Sequence, residues 1–417
     1  MVRFVLPVIL TALIFNLCSP KPRDNRNQSN ANQSVAPPGE PVKTVVTADL
    51  RREPAGEGIE VTFYPAYGYR SGTDWLLPIR SWVHQDRPLH ARAATDIAAL
   101  ILKCTGPEKE VLKVRLADFP DNDKHLDKVS IQFDSDPDKQ EYKLGRSNAN
   151  GLVEEVLRLP EAKTQKLLES QGGSKQWLTY HTVTKGQTGK GRIRLIEPEG
   201  VSVITDIDDT IKVTGVPGEH SILLRNTFCL DFVPAPGMAD MYRGLADTPF
   251  HYVSGGPWQL YGPLYDYLIS GPAGYPEGTF HFSDFPKNVF GKGTIENLFQ
   301  GFTNSLQKTY NHKFDQIGIL LKNFPSRKFI LIGDSGELDP EVYRTIREKH
   351  PDQIQEIRIR DVVNDEMVNK ERLNGMTIIK AEPIICASKD HFDKLSKMMV
   401  KRLHRPALNP NTLPPCK

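Results

Sequence analysis

The chain has 417 residues and a formal net charge of +2, because 53 basic side chains nearly balance 51 acidic ones. This length predicts two or three domains, and the near-neutral charge argues against the basic surface typical of nucleic-acid-binding proteins. The five cysteines form no Cys-x-x-Cys pair, which argues against a structural zinc site, and their spacing alone determines no disulfide pairing.

Residues 1–18 have the pattern of an export signal. A short basic start precedes an apolar run over residues 4–17, which has the length of a signal-peptide core and is short for a membrane span. Cys18 closes the run and resembles the lipidated cysteine of bacterial lipoproteins, although Leu17 stands where a small residue is usual. We expect an exported protein, either membrane-anchored through a lipid on Cys18 or secreted, for example into the periplasm. An uncleaved membrane anchor is the third alternative.

The chain between the signal and position 197 is predicted to hold a linker and a mainly β accessory domain. Residues 19–45 contain almost nothing that a core would bury, which predicts a disordered linker. Over residues 46–197, short runs of strand-forming residues recur at the spacing of a small sandwich, and Pro78 favours an edge position for its strand. These runs lie at 59–63, 75–83, 113–116, 129–133, 177–183 and 191–196, with helices expected at 90–104 and 161–170.

The stretch Val201–Lys212 carries the strongest chemical signal. A β-branched run ends there in three carboxylates, those of Asp206, Asp208 and Asp209. Like charges this close together repel one another unless a cation lies among them. Asp206 and Asp208 are two residues apart, so in an extended strand they would share a face and could contact one ion and one substrate.

Two further apolar runs end in polar residues. Residues 250–254 end in Ser254, and residues 328–333 are followed at once by Asp334 and then by Asp339. Apolar runs without alternation suit parallel strands that are buried on both faces, and ligands bind beyond the carboxyl ends of such strands. We therefore predict an α/β fold in which a parallel sheet brings the three polar clusters to one edge.

These motifs, in this order, resemble the four motifs of the haloacid dehalogenase (HAD) superfamily, whose members are mostly aspartyl-phosphate phosphatases. The segment Asp206-Ile-Asp-Asp-Thr-Ile-Lys212, together with residues 329–336, is similar more narrowly to the catalytic domain of fungal actin-patch-type phosphatidate phosphatases and their bacterial relatives. The resemblance covers residues 198–385 and implies a HAD-like Rossmannoid parallel sheet with a small cap or none. The 39 residues between Thr210 and Phe250 leave little room for a larger cap.

The resemblance also implies roles for individual residues. Asp206 would be the nucleophile, and Asp208 would protonate the leaving alkoxide and then activate water. Thr210 would support the loop, and Ser254 would donate a hydrogen bond to a phosphoryl oxygen. The expected cofactor is Mg²⁺, a hard ion that proteins bind through few carboxylates. Its ligands would be Asp206, the backbone carbonyl of Asp208, Asp334 and, directly or through water, Asp339.

The third motif of the superfamily is a single lysine that precedes the strand of Asp334. Lys313 lies before an apolar helical face over residues 314–324 and leaves room for a whole helix before that strand. Lys322 is the alternative, but it would lie at the helix end and close to the strand. We prefer Lys313 as the residue that shields Asp206 from the charge of the phosphate.

Residues 386–417 form a tail with a predicted basic amphipathic helix. Such a helix can lie on an anionic bilayer or dock onto the catalytic domain, and docking is the commoner outcome. Its basic residues flank the apolar face on both sides. The apolar face comprises Phe392, Leu395, Met398, Met399 and Leu403.

We therefore predict a Mg²⁺-dependent phosphomonoester hydrolase, with phosphatidate as the expected substrate and diacylglycerol and phosphate as the products. A phosphatase for another phosphomonoester, such as a sugar, a nucleotide or a polynucleotide end, is one alternative. An inactive domain that serves as a surface interaction module is another, although the complete set of motif residues argues against it. A membrane surface is the expected partner, and no nucleic-acid partner is expected.

Overall fold

The computed structural model describes residues 58–85, 88–119, 122–125, 127–173, 176–284, 306–381 and 389–401. The predicted export signal with Cys18, the predicted linker and the end of the tail lie outside these ranges. Among the helices in the described ranges, we find none whose length and apolar character would let it cross a membrane. The predicted α/β architecture with a parallel sheet, preceded by a mainly β region, is confirmed.

The first region is built on one sheet of ten strands that is mostly antiparallel. Its order is β6-β5-β8-β10-β2-β3-β1-β9, with β4 and β7 also paired to β3. The strands are β1 Ile59–Phe63, β2 Ala66–Ser71, β3 Asp74–Gln85, β4 Asn122–Asp123, β5 Lys128–Phe133, β6 Glu141–Arg146, β7 Leu152–Pro160, β8 Trp177–Thr182, β9 Gln187–Thr188 and β10 Lys190–Leu195.

The two halves of this sheet bury a shared core. Side chains from β1 and β3, such as Phe63 and Leu77, belong to the same buried cluster as Ile131, Tyr180 and Ile193 from β5, β8 and β10. Their alternation with more exposed positions is the period of two that the sequence shows. The sheet therefore encloses its own core, as a sandwich does.

Pro78 lies at a locally unpaired edge of the long strand β3. β7 pairs with β3 over residues 74–82, including Pro78 opposite Val156. On the other side, β2 pairs with residues 74–76 and β1 with residues 81–84. Pro78 thus falls in the gap between two partners, where its missing N–H breaks no ladder hydrogen bond.

In the described part of this region three α-helices accompany the sheet, and α2 shows that one sequence prediction is wrong. They are α1 Pro88–Leu102, α2 Pro107–Leu116 and α3 Glu161–Ser170. The strand predicted at 113–116 is wrong, because these residues form the last turn of α2. Pro107 fits the first helical turn. Glu108 and Glu110 in the first turn and Lys113 and Arg115 in the last turn suit the helix dipole.

The second region is a parallel sheet of six strands in the order β15-β14-β11-β16-β17-β18, with a separate pair β12-β13. Its strands are β11 Val201–Thr205, β12 Lys212–Val213, β13 Val233–Pro234, β14 Phe250–Pro257, β15 Gly278–Ser283, β16 Lys328–Asp334, β17 Ile354–Asp361 and β18 Thr377–Lys380. Its helices are α4 His220–Phe228, α5 Met238–Arg243, α6 Tyr261–Tyr265, α7 Leu306–Asn323, α8 Asp339–Lys349, α9 Asp365–Val368 and α10 Lys389–Lys401.

The order of this sheet places the candidate residues together. β11 pairs with β14 on one side and with β16 on the other, and all three run parallel. Their carboxyl ends, which lead to Asp206, Ser254 and Asp334, therefore meet at one edge of the sheet. These strands are buried on both faces, which explains their continuous apolar runs.

The segment between β11 and β14 is small and packs against helices of the first region. It contains the β12-β13 pair and the short helices α4 and α5. A disulfide joins Cys104, just after α1, to Cys229 at the end of α4. The buried Arg115 of α2 donates a hydrogen bond to the backbone carbonyl of Thr227 at 2.7 Å. The surroundings of the candidate site therefore include the first region.

The described part of the tail docks onto the second region. In α10, Met398 and Met399 are buried in the cluster that contains Ile317 and Leu320 of α7. Of the two alternatives for the tail helix, a bilayer surface or the catalytic domain, this part of the helix therefore docks onto the catalytic domain. The side chains of Phe392 and Leu395 lie outside the described part of the molecule.

A chain of hydrogen-bonded side chains is buried at the edge of the parallel sheet. Nδ1 of His251 lies 2.8 Å from Oγ1 of Thr279, which lies 2.9 Å from Nε2 of His281. The ring of Tyr67, from β2, packs edge-on against His251. His251 has no exposed surface, and this burial lowers its pKa well below the usual value for histidine.

His251 should make stability fall as the pH falls. Its pKa is lower in the folded state, so unfolding takes up a proton below pH 6.5, the pKa of the unfolded side chain. Each pH unit below that value removes about 1.4 kcal/mol while the folded histidine stays neutral. Between pH 6.5 and pH 5, denaturant unfolding should therefore show a larger fall in unfolding free energy for wild type than for His251→Asn. His90→Asn is the control, because His90 is exposed. An equal loss of unfolding free energy in wild type and His251→Asn would contradict the prediction.

Candidate functional site

The site is formed where the two central strands end. Asp206 follows β11 directly, and its backbone N–H donates a hydrogen bond to the carbonyl of Ile332 in β16 at 3.0 Å. Asp334 is the last residue of β16, and Ser254 lies in the neighbouring β14. Because three adjacent parallel strands present these residues, their positions depend on the ladder hydrogen bonds of the sheet rather than on loop conformation.

Three buried aspartates form a cluster that could hold a metal ion. Asp206, Asp334 and Asp339 each offer one carboxylate oxygen, and these three oxygens lie within 4.8 Å of one another. Asp339 begins α8, and its Oδ2 accepts a hydrogen bond from the backbone N–H of Asp334 at 3.2 Å. None of the three carboxylates is more than 1% exposed. The sheet end and the start of one helix thus build a site from oxygen donors.

Lys313 is the cation that the structure places in this cluster. From the middle of α7, its buried Nζ lies 2.9 Å from Asp206, 2.5 Å from Asp339 and 3.1 Å from Glu337. Lys322, the alternative from the sequence, is exposed in the last turn of the same helix. The structure therefore brings Lys313 to Asp206 and leaves Lys322 in solvent.

The cluster carries an excess of negative charge. Burial, opposed by Lys313, raises the pKa of Asp206 well above its usual value, and burial beside Asp339 and Asp206 raises that of Asp334. Burial would lower the pKa of Lys313, but the carboxylates around it raise that pKa well above its usual value. Among the described residues, Lys313 contacts Asp206, Asp339 and Glu337, and Asp334 adds a fourth carboxylate. The residues present therefore fit a small divalent cation with oxygen ligands.

Thr210 and Asp209 hold the loop that follows Asp206. The hydroxyl of Thr210 donates to Oδ2 of Asp206 at 3.2 Å and lies 3.3 Å from Oδ2 of Asp334, so it bridges two members of the cluster. Asp209 has a left-handed backbone with φ of 53°, which is uncommon for a residue other than glycine. Its buried carboxylate accepts hydrogen bonds from the backbone N–H groups of Thr214, Gly215 and Val216, which stabilise this turn.

Asp208 lies apart from the three-aspartate cluster. The expectation that Asp206 and Asp208 share the face of an extended strand is wrong, because β11 ends at Thr205 and the chain turns. Oδ1 of Asp208 accepts hydrogen bonds from Lys212 at 2.5 Å and Thr214 at 2.8 Å. Burial would raise the pKa of Asp208, but the nearby ammonium of Lys212 and these hydrogen bonds lower it.

Ser254 connects Asp208 to the end of β14. Its hydroxyl lies 3.4 Å from Oδ2 of Asp208 and accepts a hydrogen bond from the backbone N–H of Gly256 at 3.0 Å. Only 1% of Ser254 is exposed. The second carboxylate oxygen of Asp208 therefore points toward the hydroxyl that was expected to contact a phosphoryl oxygen.

Sequence reasoning missed the residues that support the loop between Asp334 and Asp339. The buried Arg372 forms an ion pair with Glu341 at 2.8 Å and donates to the backbone carbonyls of Ser335 at 2.5 Å and of Glu337. It lies far along the chain from this loop, so no local spacing could indicate the contact. Glu337, by contrast, lies inside the motif, and its acidic side chain was a signal that could have been used.

Comparisons with known proteins bear on residues 201–361, which match the family described as "Phosphatidate phosphatase APP1, catalytic domain". The chain is 38% identical over 170 residues to phosphatidate phosphatase APP1 of Saccharomyces cerevisiae. The aligned residues make up 40% of this chain and 26% of that protein. It is 28% identical over 231 residues to an uncharacterised protein of Schizosaccharomyces pombe, which covers 51% of this chain and 33% of that protein. The chain thus spans a quarter to a third of the length of these curated relatives.

These matches confirm the resemblance to the phosphatidate phosphatase catalytic-domain family for residues 201–361. Among solved structures, that of a carbohydrate esterase covers 72% of this chain and 87% of its own, with 10% identity and a TM-score of 0.19. A likeness at this score says nothing about fold or function. The family match and the site geometry concern the same residues, because Asp206, Ser254, Lys313 and Asp334 all lie within the matched segment.

The aspartate cluster should bind a divalent cation. Titration with Mg²⁺ should raise the unfolding free energy, by about 2.7 kcal/mol when the ion is 100-fold above its Kd. Asp334→Asn removes one charged ligand and should weaken the affinity at least about tenfold, while it also relieves repulsion in the ion-free protein. Asp315→Asn, on the exposed side of α7, is the control. Isothermal titration that gives Asp334→Asn the affinity of wild type would contradict this assignment.

Proposed function

We propose that this chain, whose residues 201–361 match the phosphatidate phosphatase catalytic-domain family, is a metal-dependent phosphomonoester hydrolase that works through an aspartyl-phosphate. The observation that carries the proposal is the position of Asp206, which lies 2.9 Å from a buried lysine and within a cluster of carboxylates at the carboxyl end of a parallel sheet. The sheet, its motif order and its small insert after β11 support a HAD-like Rossmannoid fold with a small cap.

The reaction would take two steps. In the first, a carboxylate oxygen of Asp206 attacks the phosphorus, the bond from phosphorus to the ester oxygen breaks, and Asp208 gives its proton to that oxygen. In the second, water attacks the phosphorus of the aspartyl-phosphate, Asp208 takes a proton from the water, and the bond to Asp206 breaks. Ser254 donates to a phosphoryl oxygen, and Lys313 reduces the repulsion between Asp206 and the phosphate dianion.

Mg²⁺ is the ion that this donor set favours, because it is small and binds hard oxygen ligands. Asp206, Asp334 and Asp339 would hold it, together with the backbone carbonyl of Asp208. When bound, the ion neutralises charge on the phosphoryl oxygens. One carboxylate oxygen of Asp339 is already paired with Lys313. Asp339 would therefore contact the ion either through its other oxygen or through a water molecule.

Removal of the nucleophile should abolish turnover without loss of the fold. Asp206→Asn should lower phosphate release in the presence of Mg²⁺ by at least about 10³-fold, because the amide cannot form the covalent intermediate. The substitution is nearly isosteric and removes a buried negative charge, so the thermal midpoint should not fall. Asp315→Asn should keep wild-type activity. A wild-type protein that releases no phosphate from any monoester would leave the interaction-module alternative.

The substrate that we propose is phosphatidate, with diacylglycerol and phosphate as products and a membrane surface as partner. The family match supports it, and the small insert between β11 and β14 is compatible with a bulky, membrane-borne substrate. The motif residues touch only the phosphoryl group and its ion, so they do not determine the alcohol. A phosphatase for a soluble phosphomonoester is therefore the second candidate.

A direct comparison distinguishes the two candidates. On one preparation, phosphatidate in mixed micelles should give a higher kcat/KM than a soluble alkyl phosphate at matched concentration, because only the lipid adds binding energy outside the phosphoryl group. Asp206→Asn supplies the background rate for both substrates. A severalfold preference for the soluble ester would favour the second candidate and would leave the hydrolase proposal intact.

We also propose that the protein is exported, as the pattern of residues 1–18 predicts, with Cys18 as the site of lipidation or, alternatively, in a secreted form. The disulfide between Cys104 and Cys229 supports this location, because disulfides persist in oxidising compartments and are rare in the cytosol. A lipid on Cys18 and the linker 19–45 would tether the hydrolase close to a membrane.

A further inference from the structure

Lys212 is a buried cation that the roles described so far do not use. It lies in β12, and only 2% of it is exposed. Its Nζ lies 2.5 Å from Oδ1 of Asp208 and 2.6 Å from Oγ1 of Thr214, and it faces the ring of Phe232 at 4.8 Å. A lysine loses much conformational freedom on burial, so these partners must offset that loss.

Lys212, Thr214 and Asp208 form a closed triangle. The ammonium of Lys212 donates to the hydroxyl of Thr214, and that hydroxyl donates to Oδ1 of Asp208 at 2.8 Å. Both donors act on the same carboxylate oxygen, while Oδ2 points to Ser254 at 3.4 Å. The triangle therefore restricts the carboxyl to one orientation and leaves a single oxygen on the side of Ser254.

We propose that Lys212, with Thr214, is a positioning residue that orients Asp208 so that Oδ2 exchanges the proton with the substrate. This inference rests on the proposed hydrolase function and adds a residue to its acid–base machinery. With Oδ1 occupied by two donors, Oδ2 is the oxygen left to exchange a proton, and it lies beside the hydroxyl of Ser254. The same oxygen then gives its proton to the leaving ester oxygen in the first step and takes one from water in the second.

Lys212 also stabilises the product of the first proton transfer. When Asp208 has given up its proton, the carboxylate lies beside a fixed ammonium that needs no reorganisation to accept the charge. Phe232 and the buried position keep this ammonium from moving to solvent. If Lys212 only stabilised the β12-β13 pair, its replacement would lower kcat equally for substrates with good and poor leaving groups. This difference distinguishes the two roles.

The test is a double-mutant cycle read with two substrates. p-Nitrophenyl phosphate has a leaving group that needs little protonation, whereas an alkyl phosphate depends on the acid. Lys212→Met should lower kcat for the alkyl ester by about 100-fold and for p-nitrophenyl phosphate by less than about threefold, the pattern expected of Asp208→Asn. In the Asp208→Asn background, Lys212→Met should change kcat for the alkyl ester by less than about threefold. Lys322→Met, an exposed lysine, should match wild type with both esters.

The outcomes separate the inference from the proposed function. The positioning role of Lys212 would be overturned if Lys212→Met lowered kcat equally for both esters. It would also be overturned if the effects of Lys212→Met and Asp208→Asn were additive in free energy in the double variant. In both cases the activity of wild type would still support the proposed hydrolase function. A wild-type protein that is inactive on both esters and on phosphatidate would overturn both proposals. If Lys212→Met does not fold, Thr214→Val is the second variant, because it removes one donor of the triangle at similar side-chain volume. It should lower kcat for the alkyl ester more than for p-nitrophenyl phosphate, by a smaller factor than Lys212→Met. A Thr214→Val variant that loses the same factor in kcat with both esters would contradict the inference.

Discussion

The crowding of carboxylates at the ends of β11 and β16 is the constraint on which the site depends. Asp206, Asp334 and Asp339 are buried within reach of one another, and among the described residues Lys313 contacts two of them directly. Such an arrangement is costly in a folded protein unless another cation joins it. A divalent cation would offset two of these negative charges, and it is the ion that the proposed hydrolase reaction requires.

The surrounding structure holds these charges in place by hydrogen bonds and ion pairs from outside the cluster. The carboxylate of Asp209 stabilises the turn after Asp206 through three backbone N–H groups. Arg372 does the same for the loop between Asp334 and Asp339 through two backbone carbonyls. Both residues act on the backbone of the loops that carry the cluster, and neither forms a hydrogen bond to a cluster carboxylate among those described. These contacts support the two loops that carry the candidate site.

The mainly β region contributes to the same structure. Its helices α1 and α2 share a buried cluster with Ile207 and Ile211, which lie in the loop after Asp206. The disulfide from Cys104 to Cys229 and the hydrogen bond from Arg115 to Thr227 add covalent and polar connections to α4. The first region is therefore part of the support of the candidate site, and its removal would expose apolar residues next to Asp206.

The sequence by itself determined the parallel sheet and the residues at its edge, because both signals are local. Continuous apolar runs reveal strands that are buried on both faces, and the spacing of Asp206, Asp208 and Asp334 against those runs places them at strand ends. The spacing also favoured Lys313 over Lys322, and the structure places Lys313 beside Asp206. Only the tertiary structure decided that Asp208 turns to Lys212. Pro107 and the acidic first turn of α2 were local signals that the strand prediction for residues 113–116 did not use. It was the tertiary structure that decided that Cys104 meets Cys229. These outcomes depend on the direction of side chains and on contacts between distant segments, and no local pattern of residues encodes either.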